Sequence, residues 1–262
     1  MKVIMPNVAG TFYPAKVETL RETVLAMLKD AAPHGELPIP KALIAPHAGY
    51  IYSGPIAASA FACLTKAKNI LKNIVVLAPA HLSYVSGIAI TKAEYYETPL
   101  GRIPINHELL EKISALPQLI HNEKAFMGEH AIEVELPFLQ LTLENFSLVP
   151  LLVGNITPEL VAEVIEKLWG DEETLIVISS DLSHYQAYNV AKALDKQTAA
   201  AILALDFAAV MPDSACGSIP ICGLLKVAKQ KHLTASLIDL RNSGDTAGPR
   251  DHVVGYGAFH FR

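Results

Sequence analysis

The chain has 262 residues, 51% of them hydrophobic, and 26 acidic against 21 basic side chains give it a formal charge of −5. That length and apolar content suffice for a full core and argue against disorder, while an acidic balance with no Lys/Arg-rich block argues against nucleic acid or an anionic membrane as the main partner. No apolar run reaches the roughly 18 residues of a membrane span, the start Met1–Pro6 is too short for a signal peptide, and Cys63, Cys216 and Cys222 form no even framework and no C-x-x-C, so a cytoplasmic chain with reduced thiols is expected.

A turn-rich entry over residues 7–14, carrying Phe12 and Tyr13, precedes an amphipathic helix with Val17, Leu20, Val24, Met27 and Leu28 at helical spacing. After a Pro/Gly loop over 33–40 comes a first core strand, 42–45, ending in Pro46-His47. A small-residue helix is expected to start after Gly54-Pro55 and run to about Thr65. The second core strand, 74–77, stops alike, in Pro79-Ala80-His81. Proline cannot continue a central ladder, so each strand is cut off and a histidine follows at once. Residues 87–105 read as short strands, with a turn at Pro99–Gly101 and the look of a hairpin laid over the functional face. A helix from about His107 to Leu116 leads to the polar stretch Met127-Gly128-Glu129-His130. The third core strand, 146–153, is followed by a helix with Thr157 as N-cap, Pro158 at its first position and Gly170 beyond its end. Its buried face is expected at Leu160, Val161, Val164, Ile165 and Leu168.

The apolar run Thr174–Ile178 reads as a buried strand, and it breaks into Ser179-Ser180-Asp181-Leu182-Ser183-His184 before a long helix. The inner face of that helix includes Leu194, Ala201, Ile202 and Leu205. The loop Ser214–Pro220 opens a further helix to Lys231. Two last strands, 235–240 and 253–261, flank a glycine-rich loop. Strands alternating with helices, without repeat or linker, give one α/β domain over 1–262: a mostly parallel central sheet with helices on both faces.

Three strand ends thus deliver His47, His81 and the Asp181/His184 pair, and parallel neighbours would bring them to one sheet edge. Histidine is the commonest metal ligand, and two imidazoles with one anionic ligand leave positions open. Cys216, flanked by small residues before a helix, has a setting that could lower its pKa, or it is a small buried hydrophobe. Cys63 and Cys222 read as core. Glu129-His130 could close over the site as substrate-binding residues, whereas Glu133 and Glu135 read as a solvated helix face. His107, His121, His232 and His260 have no such context.

Taken together, Ala45-Pro46-His47-Ala48-Gly49-Tyr50, Pro79-Ala80-His81, Glu129-His130-Ala131-Ile132-Glu133, Ser179–His184, Cys216-Gly217 and Pro220-Ile221 resemble the Memo family. The opening Ala9–Pro14 and Ser243–Thr246 fit it too. The resemblance covers essentially the whole chain and is nearest to the prokaryotic branch, the B component of the AmmeMemoRadiSam system. It implies a fold similar to the class III extradiol ring-cleaving dioxygenases, with His47 and His81 as metal ligands. Cys216 falls where the family has a cysteine and the dioxygenases a carboxylate. His184 stands where the dioxygenases hold an acid/base histidine, with Asp181 tuning it. The resemblance also implies association with a radical-SAM protein and an AMMECR-type protein.

A His/His/Cys set suits softer ions than the 2-His-1-carboxylate set of iron(II) oxygenases. The expectation is one iron or copper ion, with zinc behind them and no nucleotide-cofactor motif. The protein then does metal-dependent redox chemistry on a small, aromatic or phenolic molecule. The rivals are a non-catalytic adaptor binding a peptide or partner over a vestigial site, and a zinc hydrolase.

Overall fold

In a computed structural model, which describes residues 2–31 and 38–262, four apolar runs lie side by side and parallel at the centre of an eight-stranded sheet. They are β2 (Ala42–Ala45), β3 (Asn73–Pro79), β8 (Ser147–Val153) and β9 (Thr174–Ser179), in the spatial order β2-β9-β3-β8. Every residue of β2 and β9 is buried. That is why these runs lack polar alternation: both sheet faces are covered. The short strands β4 (Ile88–Ile90) and β7 (Leu119–His121) extend the sheet beyond β8. On the other side, β11 (Gly255–Phe261) pairs antiparallel with β2, and β10 (Ala235–Asn242) forms the edge. The core of the sheet is parallel, as its sequence pattern requires.

Helices cover it in two layers. One joins α1 (Val17–Asp30), α2 (Tyr50–Phe61) and α4 (Leu136–Thr142), with α2 against β2, β10 and β11. The other joins α5 (Pro158–Lys167) and α7 (Ser218–Gln230), with α7 against β3 and β9 and α3 (His107–Ser114) beside α5; α6 (Tyr188–Leu203) packs on β10 and β11. On α5 the buried residues are Val161, Ala162, Val164 and Ile165, with Leu168 just beyond, whereas Leu160 faces outward. On α6, Ala201 and Ile202 are buried as expected, but Leu194 is exposed. Its place on the inner face is taken by Ala191, Asp195 and Thr198. Gly170, at φ +54°, makes the turn out of α5 in the left-handed region that glycine enters without strain.

Two further sequence expectations change. The second helix starts at Tyr50, ahead of Pro55, because burial of Tyr50, Ser53, Gly54 and Ala57 outweighs the backbone hydrogen bond that Pro55 cannot make. The hairpin of β5 (Tyr95–Thr98) and β6 (Gly101–Pro104) joins β1 (Val3–Ile4) in a separate three-stranded sheet. It runs on into Ile105, which bridges Leu148, and Asn106, whose side chain bonds Asn73 and Ser147 at the amino ends of β3 and β8. The hairpin is therefore anchored at the edge opposite the strand-end histidines, not over them. Most of the Pro/Gly loop over 33–40 lies outside the described residues. Among the described residues, no helix is long and apolar enough to cross a membrane.

Candidate metal centre

Parallel register turns the sequence pattern into a site. β2 ends at Ala45, β3 at Pro79 and β9 at Ser179, and the second residue past each is His47, His81 and Asp181. Ala45 pairs with Ser179, and Leu77 with Ile178, so the three exits share one edge of the sheet. The fourth contributor, Cys216, arrives from the loop before α7. Its backbone N–H donates to Asp181 O (3.2 Å), and the next N–H, of Gly217, donates to Ser180 Oγ (2.8 Å). A Cβ on residue 217 would fall 2.7 Å from both Ser180 Cβ and Oγ, so only glycine lets this loop sit so close to the end of β9.

The ligand-type atoms of His47, His81 and Cys216 lie within 4.8 Å of one another. His47 is buried. Its Nδ1 is 2.7 Å from Ser179 Oγ, and its Nε2 faces Cys216 Sγ at 3.4 Å. His81 is the most exposed of the three. Glu129 fixes it at two points, with Oε1 3.0 Å from the ring Nδ1 and Oε2 accepting the backbone N–H at 2.6 Å. In both rings Nδ1 is occupied and Nε2 is left for the centre. A carboxylate or hydroxyl behind a ligating imidazole is the arrangement that orients metal-binding histidines. Two imidazole nitrogens and one sulfur fit a single transition-metal ion, so the residues present suit the group expected of them.

Glu129 also accepts the backbone N–H groups of His130 and Ala131. Burial works to raise its pKa, but the His81 ring and the N–H groups of Ala131 and His81 outweigh it and hold the carboxyl at about 2. Glu129 is thus an anion behind His81. His130 stacks on His81 with ring centres 5.1 Å apart and stands edge-on to His47 at 5.5 Å, with Phe12 at 4.6 Å on its far side. Burial depresses His130 and His47 alike, keeping both imidazoles neutral. His81, Glu129 and His130 also form a second group of potential ligands, but Glu129 is already spent on ring and backbone donors.

Asp181 turns towards His47: its Oδ1 accepts the His47 backbone N–H at 2.9 Å. Burial raises its pKa to about 7, against the N–H groups of His47 and Ala48. Cys216 Sγ accepts the Asp181 N–H at 3.2 Å. In place of the lowered pKa that the sequence suggests, burial and then the Asp181 charge push the thiol up to about 12. A bound cation reverses that, because a coordinating thiol is deprotonated outright.

His184 is partly exposed and depressed by burial, and its ring lies 5.8 Å from that of Tyr185. It lines a cavity of about 410 Å³ with Ser183, Gln186, Leu194, Thr198 and Met211. The loop carrying it is pinned on both sides. Leu182 N–H donates to Gly255 O, Gly255 N–H to Ser183 O, and Ser183 N–H to Asp195 Oδ1.

The sequence reading missed the residues behind this centre. Glu133 and Glu135 are wholly buried, not a solvated face. Glu133 accepts the backbone N–H groups of Asn7 (2.6 Å) and Val8 (3.0 Å) and the Tyr13 hydroxyl (2.6 Å), which fixes the amino-terminal segment and Phe12 against His130. Glu135 Oε1 is 2.8 Å from Ser179 Oγ. Ser179 was visible as the polar end of an apolar strand, but nothing in the local pattern says that a short 3-10 turn at Glu133–Glu135 points inward.

A family model described as a Memo-like protein matches residues 5–260. A MEMO1 family protein of Metallosphaera sedula is 32% identical over 277 residues, and one of Aquifex aeolicus is 35% identical over 267 residues. Each alignment covers 98% of both chains. The crystal structure of an uncharacterised protein from Escherichia coli K12 superposes with a TM-score of 0.53, over 82% of this chain and 98% of that one. At 15% identity the likeness is one of fold alone. The sheet, the strand-end histidines and the near-complete alignments agree: the chain belongs to the Memo-like family.

Proposed function

We propose that His47, His81 and Cys216 hold one iron or copper ion, and that the protein carries out redox chemistry on a small aromatic or phenolic molecule with oxygen or another oxidant. The observation that carries this reading is the convergence of three donors on one sheet edge, two of them imidazoles each fixed from behind through Nδ1. The ion would supply Lewis acidity and one-electron chemistry. The chain supplies the rest. His184, whose charged form burial disfavours, would be the acid/base group, on the wall of the cavity it lines. Phe12 packs on His130 and Tyr185 on His184, so aromatic rings border the proposed centre.

The test is anaerobic loading of the full chain with Fe(II) and, separately, Cu(I), followed by metal analysis. One ion per chain is expected in the wild type and its loss in His81→Ala; equal binding in both would sink the assignment. His184→Gln should keep the ion and slow turnover of a catechol and phenol panel. Zinc is the competing occupant, because the same donors suit it. Tight zinc with no redox turnover would move the reading to hydrolysis.

A further inference from the structure

Ser179 Oγ has three neighbours at hydrogen-bonding distance: Ala131 O at 2.6 Å, His47 Nδ1 at 2.7 Å and Glu135 Oε1 at 2.8 Å. A hydroxyl has one proton and two lone pairs, and a carbonyl oxygen only accepts. If the Ser179 proton went to Glu135 or to His47, two acceptor oxygens would face each other at 2.6 Å with no hydrogen between them. The proton therefore goes to Ala131 O. Both lone pairs are then filled from outside, one by His47 Nδ1–H and the other by an O–H on Glu135. Only this distribution gives all three contacts a hydrogen.

An ionised Glu135 fails twice over. Its Oε1 would face an oxygen lone pair, and its Oε2, buried and without a partner among the described residues, would carry charge with nothing to balance it. An uncharged carboxyl tolerates both positions. Burial drives Glu135 the same way, well above the usual carboxylate range.

We propose that Ser179 and Glu135 are positioning residues for His47: an uncharged Glu135 donates to Ser179, Ser179 thereby stays an acceptor for His47 Nδ1–H, and the His47 Nε2 lone pair is held towards Cys216 and His81. The relay follows from hydrogen-bond geometry alone. Its purpose rests on the reading of His47 as a ligand.

Infrared spectra of the metal-free, full-length chain at neutral pH read the proton on Glu135. An uncharged-carboxyl C=O stretch that disappears in Glu135→Gln is expected; no such difference overturns the relay. Nitrogen NMR of the His47 ring reads the tautomer. The Nδ1-protonated form should dominate in the wild type and in Glu135→Gln, whose amide still donates to Ser179. It should give way to a mixture in Ser179→Ala and Glu135→Leu. An unchanged tautomer in both of those variants overturns the proposal. If Ser179→Ala does not fold, the contrast between Glu135→Leu and Glu135→Gln decides alone. Fe(II) affinity should fall about 10–100-fold in Ser179→Ala and stay near wild type in Glu135→Gln. The spectra need no metal, so failure of the wild type to bind an ion counts against the proposed centre and leaves the relay to its own readings.

Discussion

Asp181 and Glu129 show how one edge of a sheet pushes two carboxyl groups apart. Glu129 is held at about 2, because donors from His81 and the backbone more than offset its burial. Asp181 is raised to about 7, because burial outweighs its two backbone donors. The pair sets the charge around His47, His81 and Cys216: a fixed anion behind His81 and a carboxyl that holds its proton up to about 7 beside His47 and Cys216. The sign of the pH effect follows. Asp181 binds its proton more tightly folded than unfolded, so the stability it contributes is full below its ordinary value of 3.8 and is lost as pH rises through about 7. In metal-free protein, Asp181→Asn should flatten the decline of the urea midpoint across that window. A midpoint that falls as steeply in the variant contradicts the raised value.

The element that gives most to the site without entering it is the segment Asn7–Tyr13. It is clamped on the buried Glu133, and Tyr13 lends its hydroxyl to the same carboxylate. A hydrogen bond to a charged group is worth about 1.5–3 kcal/mol, so Tyr13→Phe should cost about that much in denaturant titration. It should also speed amide exchange at Gly10–Phe12. Exchange unchanged there would mean that the clamp lies elsewhere. This element also marks where sequence reading stops. His47 and His81 were legible because a proline ends each apolar run and the side chain that follows must leave the sheet. Cys216 was legible as one candidate from its small-residue setting before a helix, and the family resemblance singled it out. Glu133 and Glu135 were not legible, because a helical wheel turns acids outward unless a buried partner waits for them, and their partners lie about 120 and 44 residues away in the chain. The hairpin was recognised as strands but placed on the wrong edge, since pairing partners outside the segment decide its location.

For the whole molecule, stability and site can be separated along the strands. Leu148 is fully buried near the amino end of β8, where it pairs with Ile74 and bridges Ile105, far along the sheet from the ligand edge. Leu148→Ala should cost about 2–5 kcal/mol through lost burial and the cavity left behind. The metal stoichiometry of the folded fraction should not change; loss of the ion at full folding would show that the sheet transmits strain to its far edge. The central strand β9 has a further consequence. With the two residues that follow it, it contributes no donor atom, yet Ser179 and Asp181 hold His47, while Ser180 and Asp181 hold the loop of Cys216. Fixture and fitting are separate parts. An exchange at position 216 changes the hardness of the donor set and leaves the fixture standing, so Cys216→Asp should move the ion preference from Cu(I) towards Fe(II) in direct competition. On the proposed assignment, one side chain at the rim of an unaltered jig would be enough to retool the centre.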